Sequence, residues 1–451
     1  MALLLSFAAT VGAAEPDRGA LLPVIEIPDT GVVQVSPEGL LEERLTLPQS
    51  VRTKLEQLDM GGSLRFAGWP VSPGDRRTIS VTRRPVYAPH ARILEIGERG
   101  VRELPRSTHL YFIGEIDDEP GSGVLVILDP ASGRLTGLAF SDGLSYDLLP
   151  AEEGGPSEVR VVATHERVED LDPHWDCGDE NLDVFPAPGR ALQKTLVTKA
   201  AGPLEAVLAI ETDTELMSQK FGGNTSAATD YIADLIAAMN VMYGRDLGVT
   251  LVQGTTFLRI SNDPYTANSS GYATSTELYE FRDYWSSNYG SVQRALAAML
   301  SGKSPWSNSA SGIAFIGGLC STSSGYSFSK VFKINYLSGD AKLVGHEIGH
   351  NFGSPHTHCY SPPVDTCYSG GGAGCYNGTT SCPGGPGSVM SYCHITGCGS
   401  TLDFHPTVIG YILSNHVAPA TGVCLFEAAP LDGIFTDGFE GGGTSAWSGS
   451  S

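Results

Sequence analysis

At 451 residues, with 41% hydrophobic and 17% charged side chains, the chain has material for two structured domains and an ample core. Its formal net charge of −22 argues against nucleic acid or anionic membrane as a main partner, because phosphate recognition needs clustered Lys and Arg. No uninterrupted apolar run reaches the roughly 18 residues of a membrane span.

Residues 1–18 read as a signal peptide. Leu3, Leu4, Leu5, Phe7, Ala8 and Ala9 form a short apolar run, and Val11-Gly12-Ala13-Ala14 supplies small residues that a signal peptidase accepts. Residues 19–202 are expected to be β-rich, with short apolar runs at 110–116, 123–128 and 135–140 punctuated by Asp-Glu-Pro-Gly, Asp-Pro and Ser-Gly turns. A polar linker over 186–202, with Pro186, Pro188, Gly189, Arg190, Lys194 and Lys199, marks the expected domain boundary.

From 203 to 426 the pattern changes. A strand is expected at 204–211, and a helix at 225–243, where Ile232, Leu235, Ile236, Met239 and Met242 recur at helical spacing before Gly244. Further strands are expected at 249–260 and 312–319, with helices at 275–284, 291–300 and 343–351. Alternating strands and helices imply an α/β layer packing. The stretch 354–387 is rich in Gly, Ser and Pro and has little periodicity, and 427–451 reads as a flexible tail.

Eight of the nine cysteines fall in the second domain: Cys320, Cys359, Cys367, Cys375, Cys382, Cys393, Cys398 and Cys424. An even set in a Gly-rich region suggests up to four disulfides formed outside a reducing cytoplasm, hence a secreted, extracellular protein. No pair of CxxC units stands at zinc-ribbon spacing.

The segment His346-Glu347-Ile348-Gly349-His350-Asn351-Phe352-Gly353-Ser354-Pro355-His356 carries the chemistry. His346 and His350, four apart on a helix, project from one face and can grip one metal. Imidazole nitrogen suits Zn2+, and three protein ligands leave a fourth position open. Gly353 ends the helix so that His356 can return as third ligand, and Glu347 stands beside the first ligand as a candidate general base.

These residues resemble the metzincin zinc signature, and His350-Asn351-Phe352-Gly353-Ser354-Pro355-His356 is most similar to the reprolysin (adamalysin) branch. Ser388-Val389-Met390-Ser391-Tyr392 resembles the Met-turn of that family, and Gly312-Ile313-Ala314-Phe315 with Cys320 its edge strand. The resemblance implies an α/β (α+β) fold: a metzincin catalytic domain with a twisted mixed sheet and an active-site helix, here preceded by a β-rich pro-domain. It also implies a zinc-dependent endopeptidase acting on proteins or peptides bound along residues 313–317, with Met390 structural. Two departures stand out. Thr357 occupies the place of the Asp that usually follows the third histidine, and Tyr392 matches other metzincin branches, as a further zinc ligand, an oxyanion donor or a packed aromatic.

Cys177, in His174-Trp175-Asp176-Cys177-Gly178-Asp179, is the odd cysteine. Its place resembles that of the cysteine switch, in which a pro-segment thiolate fills the open zinc position; a free thiol or a disulfide are the other readings. A monomer is expected. The alternative function is an inactive metzincin-fold binding or adhesion protein.

Overall fold

The computed structural model describes residues 22, 24–36, 39–151, 155–163, 176–177, 203–269, 271–305 and 309–428. The expected signal peptide, linker and most of the tail lie outside the described residues.

Two sheets organise the chain. The first takes β1 (Val24–Glu26), β2 (Val32–Val35), β3 (Leu41–Thr46), β4 (Ser63–Ser72) and β5 (Asp75–Arg84). It continues, after a hairpin that belongs elsewhere, with β8 (Leu110–Ile116), β9 (Gly123–Leu128), β10 (Leu135–Ser141), β11 (Leu144–Pro150) and β12 (Glu158–Ala163). The strand order is β1-β4-β5-β8-β9-β10-β11-β12-β3-β2, antiparallel except where β1 meets β4. Local chemistry sets the reversals: Asp142 and Gly143, both at positive φ (50° and 74°), make the two-residue turn between β10 and β11. Strand β9 lacks polar alternation because both its faces are covered. Val124, Val126 and Leu128 enter one core with the helix Gln49–Glu56 (α1), whereas Leu125 and Ile127 enter a second core shared with the other half of the chain.

The second sheet holds β13 (Asp176–Cys177), β14 (Leu204–Thr212), β15 (Val249–Arg259), β16 (Leu296–Ser301), β17 (Ser311–Ala314), β18 (Tyr326–Lys330) and β19 (Leu425–Glu427). It also recruits the hairpin β6 (Ile93–Gly97) and β7 (Gly100–Leu104) from the first half. The order is β13-β17-β18-β16-β14-β15-β6-β7, with β19 antiparallel to β14. Helices cover both faces. Thr225–Met242 (α3, after the short α2, Thr214–Gln219) and Leu337–Asn351 (α5) share one core, and Ser275–Asn288 (α4) lies in another. Strand β16 shows the division residue by residue: Leu296, Ala298 and Leu300 point into the first, Ala297 and Met299 into the second.

That strand corrects one expectation. Residues 291–300 read as helix because Ala, Leu, Met and Gln are good helix formers, yet Leu296–Ser301 is a fully buried strand. Parallel pairing with both β14 and β18 outweighs a propensity worth only tenths of a kcal/mol per residue. The helix expected to stop at Gly244 instead continues through a π-helical turn, Tyr243–Leu247, and ends at Gly248 in the left-handed region. The edge strand is shorter than 312–319, closing at Ala314.

All eight cysteines of the second half are paired: Cys320–Cys424, Cys359–Cys375, Cys367–Cys393 and Cys382–Cys398. Cys320–Cys424 joins residues 104 apart, tying the end of the edge region to the C-terminal strand. Replacing both cysteines with serine is expected to lower unfolding free energy by about 2–5 kcal/mol, read from urea titration.

Candidate metal centre and cleft

Helix α5 is anchored at three levels. Near its start the buried Asp340 carboxylate accepts hydrogen bonds from Lys220 Nζ (3.1 Å), the Phe332 amide (2.9 Å) and the Tyr231 hydroxyl. Midway, Tyr243 Oη donates to the Gly345 carbonyl (2.7 Å). At its end Asn351 Nδ2 donates to the carbonyls of Phe315 (2.8 Å) and Tyr326 (3.0 Å), which fixes the helix against β17 and β18. Gly353, at φ 97°, then turns the chain and brings His356 back to the face that carries His346 and His350.

The three Nε2 atoms converge. They lie 3.1 Å apart for His346–His350, 3.1 Å for His350–His356 and 3.2 Å for His346–His356. A zinc ion about 2.0–2.1 Å from each of three tetrahedrally placed nitrogens needs them roughly 3.3 Å apart, so the donor set fits that ion. His346 Nδ1 and His350 Nδ1 each face a main-chain oxygen at 2.7 Å, of Val389 and Ser354 respectively. A carbonyl can only accept, so both Nδ1 atoms carry the proton and both Nε2 atoms present a lone pair. Burial pushes all three imidazoles well down, His350 to about 4, which keeps them neutral and ready for a metal at physiological pH.

Glu347 is fully buried beside this triad, against the edge strand. At Gly312 a Cβ would overlap the Glu347 carboxylate, so only glycine admits that side chain. Sequence reading placed Gly312 in the edge strand but missed this contact, because the two residues are far apart in the chain.

The Met-turn supplies main chain as well as the Met390 side chain, which is buried. Val389 O orients His346, and Met390 O accepts from the Thr357 amide (3.0 Å) and hydroxyl (3.3 Å). Thr357 thus binds the Met-turn directly, although it is not the usual Asp. Tyr392 is 2% exposed, its ring centroid 4.2 Å from that of His356 and 6.3 Å from that of His346. Two unanticipated neighbours join it: the His358 ring, 5.5 Å from His356 and nearly parallel, and Tyr368, 4.9 Å from Tyr392. His358 stood next to the signature in the sequence, but nothing there assigned it a place.

Two buried lysines hold the loop that leads to the edge strand. Lys330 Nζ donates to the carbonyls of Ser269 (3.0 Å), Gly271 (3.1 Å) and Tyr272 (3.3 Å) and pairs with Glu277 (3.2 Å). Lys303 Nζ donates to Tyr265 O (2.7 Å) and Ala267 O (3.0 Å). Against the cost of burial, hydrogen bonds from Ser269 and Thr274 and the Lys330 charge hold Glu277 down at about 2. The loop then meets the edge strand where the Ala273 amide donates to Ser311 Oγ (2.9 Å).

Along the edge strand, β13 pairs parallel with β17, Asp176 opposite Ser311 and Cys177 opposite Gly312. The main chain of the odd cysteine therefore runs beside the residue that makes room for Glu347. Residues 315–317, expected to receive substrate, have left the strand, and the Gly317 amide is already bonded to His350 O (2.8 Å).

The sequence profile of metallo-peptidase family M12 (Reprolysin_5) matches residues 205–402, the stretch that contains every element of this centre. This region is a metzincin-type M12 metallopeptidase domain. The chain is also similar to a crystal structure of metalloproteinase-II from Bacteroides fragilis, at 13% identity over 68% of this chain and 85% of that one, with a TM-score of 0.37. A structure of a chaperone–substrate complex is similar at 13% identity over 50% of this chain and 29% of that one, with a TM-score of 0.25. No curated protein matches the sequence.

Within the M12 domain, Gly312→Ala is expected to displace Glu347 while leaving the three histidines in place. Metal content should be retained and peptide hydrolysis should fall about 100-fold, the scale of a 1 Å misplacement. Parallel measurements of bound zinc and turnover check this.

Proposed function

We propose that this chain is a secreted zinc endopeptidase of the reprolysin type, made as a latent precursor. In this reading residues 1–18 are a signal peptide, 19–202 a pro-domain and 203–426 the catalytic domain. The convergence of His346, His350 and His356 on one point, with Glu347 buried alongside, carries the reading. Zinc, when bound, would supply a Lewis acid that polarises the scissile carbonyl and acidifies the attacking water. The chain's own residues do the rest. The Glu347 carboxylate takes the proton of that water and returns it to the leaving amine. The Tyr392 phenol, packed against His356, would serve as an oxyanion donor, as a further zinc ligand or as a packed aromatic. The main-chain edge of β17 binds an extended peptide as an added strand.

Latency is supported by the same edge. While β13 is paired with Ser311 and Gly312, a substrate strand cannot use those groups. A thiolate from Cys177 on the open metal position would add a second block. Release then requires cleavage in the linker, after Arg190, Lys194 or Lys199.

Peptide cleavage and zinc content test catalysis and latency separately. Glu347→Gln should keep about one zinc per chain and lose activity by roughly 10²–10⁴-fold, whereas His350→Ala should lose both. Unaltered proteolysis by Glu347→Gln would sink the peptidase assignment, and wild-type chain lacking both zinc and proteolysis would favour a binding or adhesion protein. Cys177→Ala should give partial activity in the uncut chain. If that variant is as silent as the parent, or if Cys177 is found in a disulfide, the switch is wrong while the peptidase stands.

A further inference from the structure

The hairpin β6–β7 belongs by sequence to the first half and by pairing to the M12 sheet. Strand β6 lies parallel to β15, with Ile93, Leu94, Glu95 and Ile96 opposite Thr256, Phe257, Leu258 and Arg259. Main-chain bonds extend the seam at both ends: Gln253 N–H to Val86 O (2.7 Å), Ala88 N–H to Gln253 O (2.9 Å), Thr256 N–H to Arg92 O (2.8 Å) and Ile260 N–H to Ile96 O (2.9 Å). Both faces of β6 are covered. Ile93 is wholly buried in the core beneath α3, and Leu94 and Ile96 lie with Phe257, Phe281 and Trp285 on the other side.

The seam is one part of a wider contact. Tyr111, Leu125, Ile127 and Leu138 of the first sheet share a core with Ile232 and Leu235 of α3. Polar bonds also cross: His109 Nδ1 to Asp234 (2.9 Å), the Tyr111 hydroxyl to Asp234 (3.0 Å) and Ser338 Oγ to Asp147 (3.0 Å). Removing the first half would leave β15 as an open edge beside bare apolar surface, the arrangement that soluble sheet proteins avoid. An interface that resembles one core cut in two is typical of obligate partners, which do not part in dilute solution.

We infer that residues 24–163 are a permanent partner of the M12 domain, so that cleavage in the linker yields a two-chain protein held by β6 in the catalytic sheet. Where the latency reading holds, cutting frees the strand at Asp176–Cys177 and sheds nothing else. The inference about association does not need that reading.

The test uses full-length chain carrying Glu347→Gln, which prevents self-digestion, with a recognition sequence for a specific protease placed between Pro188 and Gln193. After complete cutting, both fragments should co-elute in native size exclusion at the mass of the uncut 47.6 kDa chain. The Thr256 and Ile260 amides should stay as protected from hydrogen exchange as before the cut. Separation of the fragments in native buffer, whatever state the C-terminal piece then adopts, overturns the inference, and so does loss of that protection. Leu94→Asp with Ile96→Asp, in the cut chain, should lower the urea concentration at which the fragments part by roughly 1 M or more. No change would remove the hairpin as the element that holds them.

Discussion

Three neutral imidazoles buried within hydrogen-bond distance of one another form an arrangement that water would not leave standing. Two main-chain oxygens, of Val389 and Ser354, each accept a hydrogen bond from the Nδ1–H on the far side of a ring and so fix both rotation and tautomer of His346 and His350. Those oxygens lie at different places in the chain, one in the Met-turn and one just past the helix. Their positions depend in turn on the Thr357–Met390 bonds and on the turn at Gly353. The candidate metal centre is therefore a small set of main-chain contacts between helix end and Met-turn, and much of the surrounding fold serves to hold those two segments in register.

The sheet contributes the other half of the constraint. Asn351 spans from the helix to β18 and to Phe315 just past β17, and Gly312 gives up its side chain so that Glu347 can lie against the edge. The candidate base is thus located by the edge strand itself, through its backbone rather than a flexible side chain.

What could be read from the sequence was local. The histidine spacing, Glu347 and the even set of cysteines are short-range patterns whose chemistry follows from residue type and interval, and the Met-turn was legible through its resemblance to a known family. Strands β8 and β9 matched their expected bounds because apolar runs between turn residues specify both. Residues 296–301 were not legible as a strand, since a fully buried run of Ala, Leu and Met has no period of two to betray it. The place of β6 was not legible either. Its amphipathic text is compatible with either sheet, and only a partner about 160 residues away, at Thr256 to Arg259, decides between them. The overlap at Gly312 and the stacking of His358 are likewise products of distant segments meeting.

The loop over 265–272 offers a different lesson. Many loops that gather carbonyl oxygens do so around a dissolved cation, and their shape then follows the concentration of that ion. Here the gathered oxygens of Tyr265, Ala267, Ser269, Gly271 and Tyr272 face ammonium groups that belong to the chain itself, from Lys303 and Lys330. The positive charge cannot be diluted, chelated or exchanged. The loop is thus held by cations that the fold itself carries to it, part of the same covalent chain as the oxygens they bind.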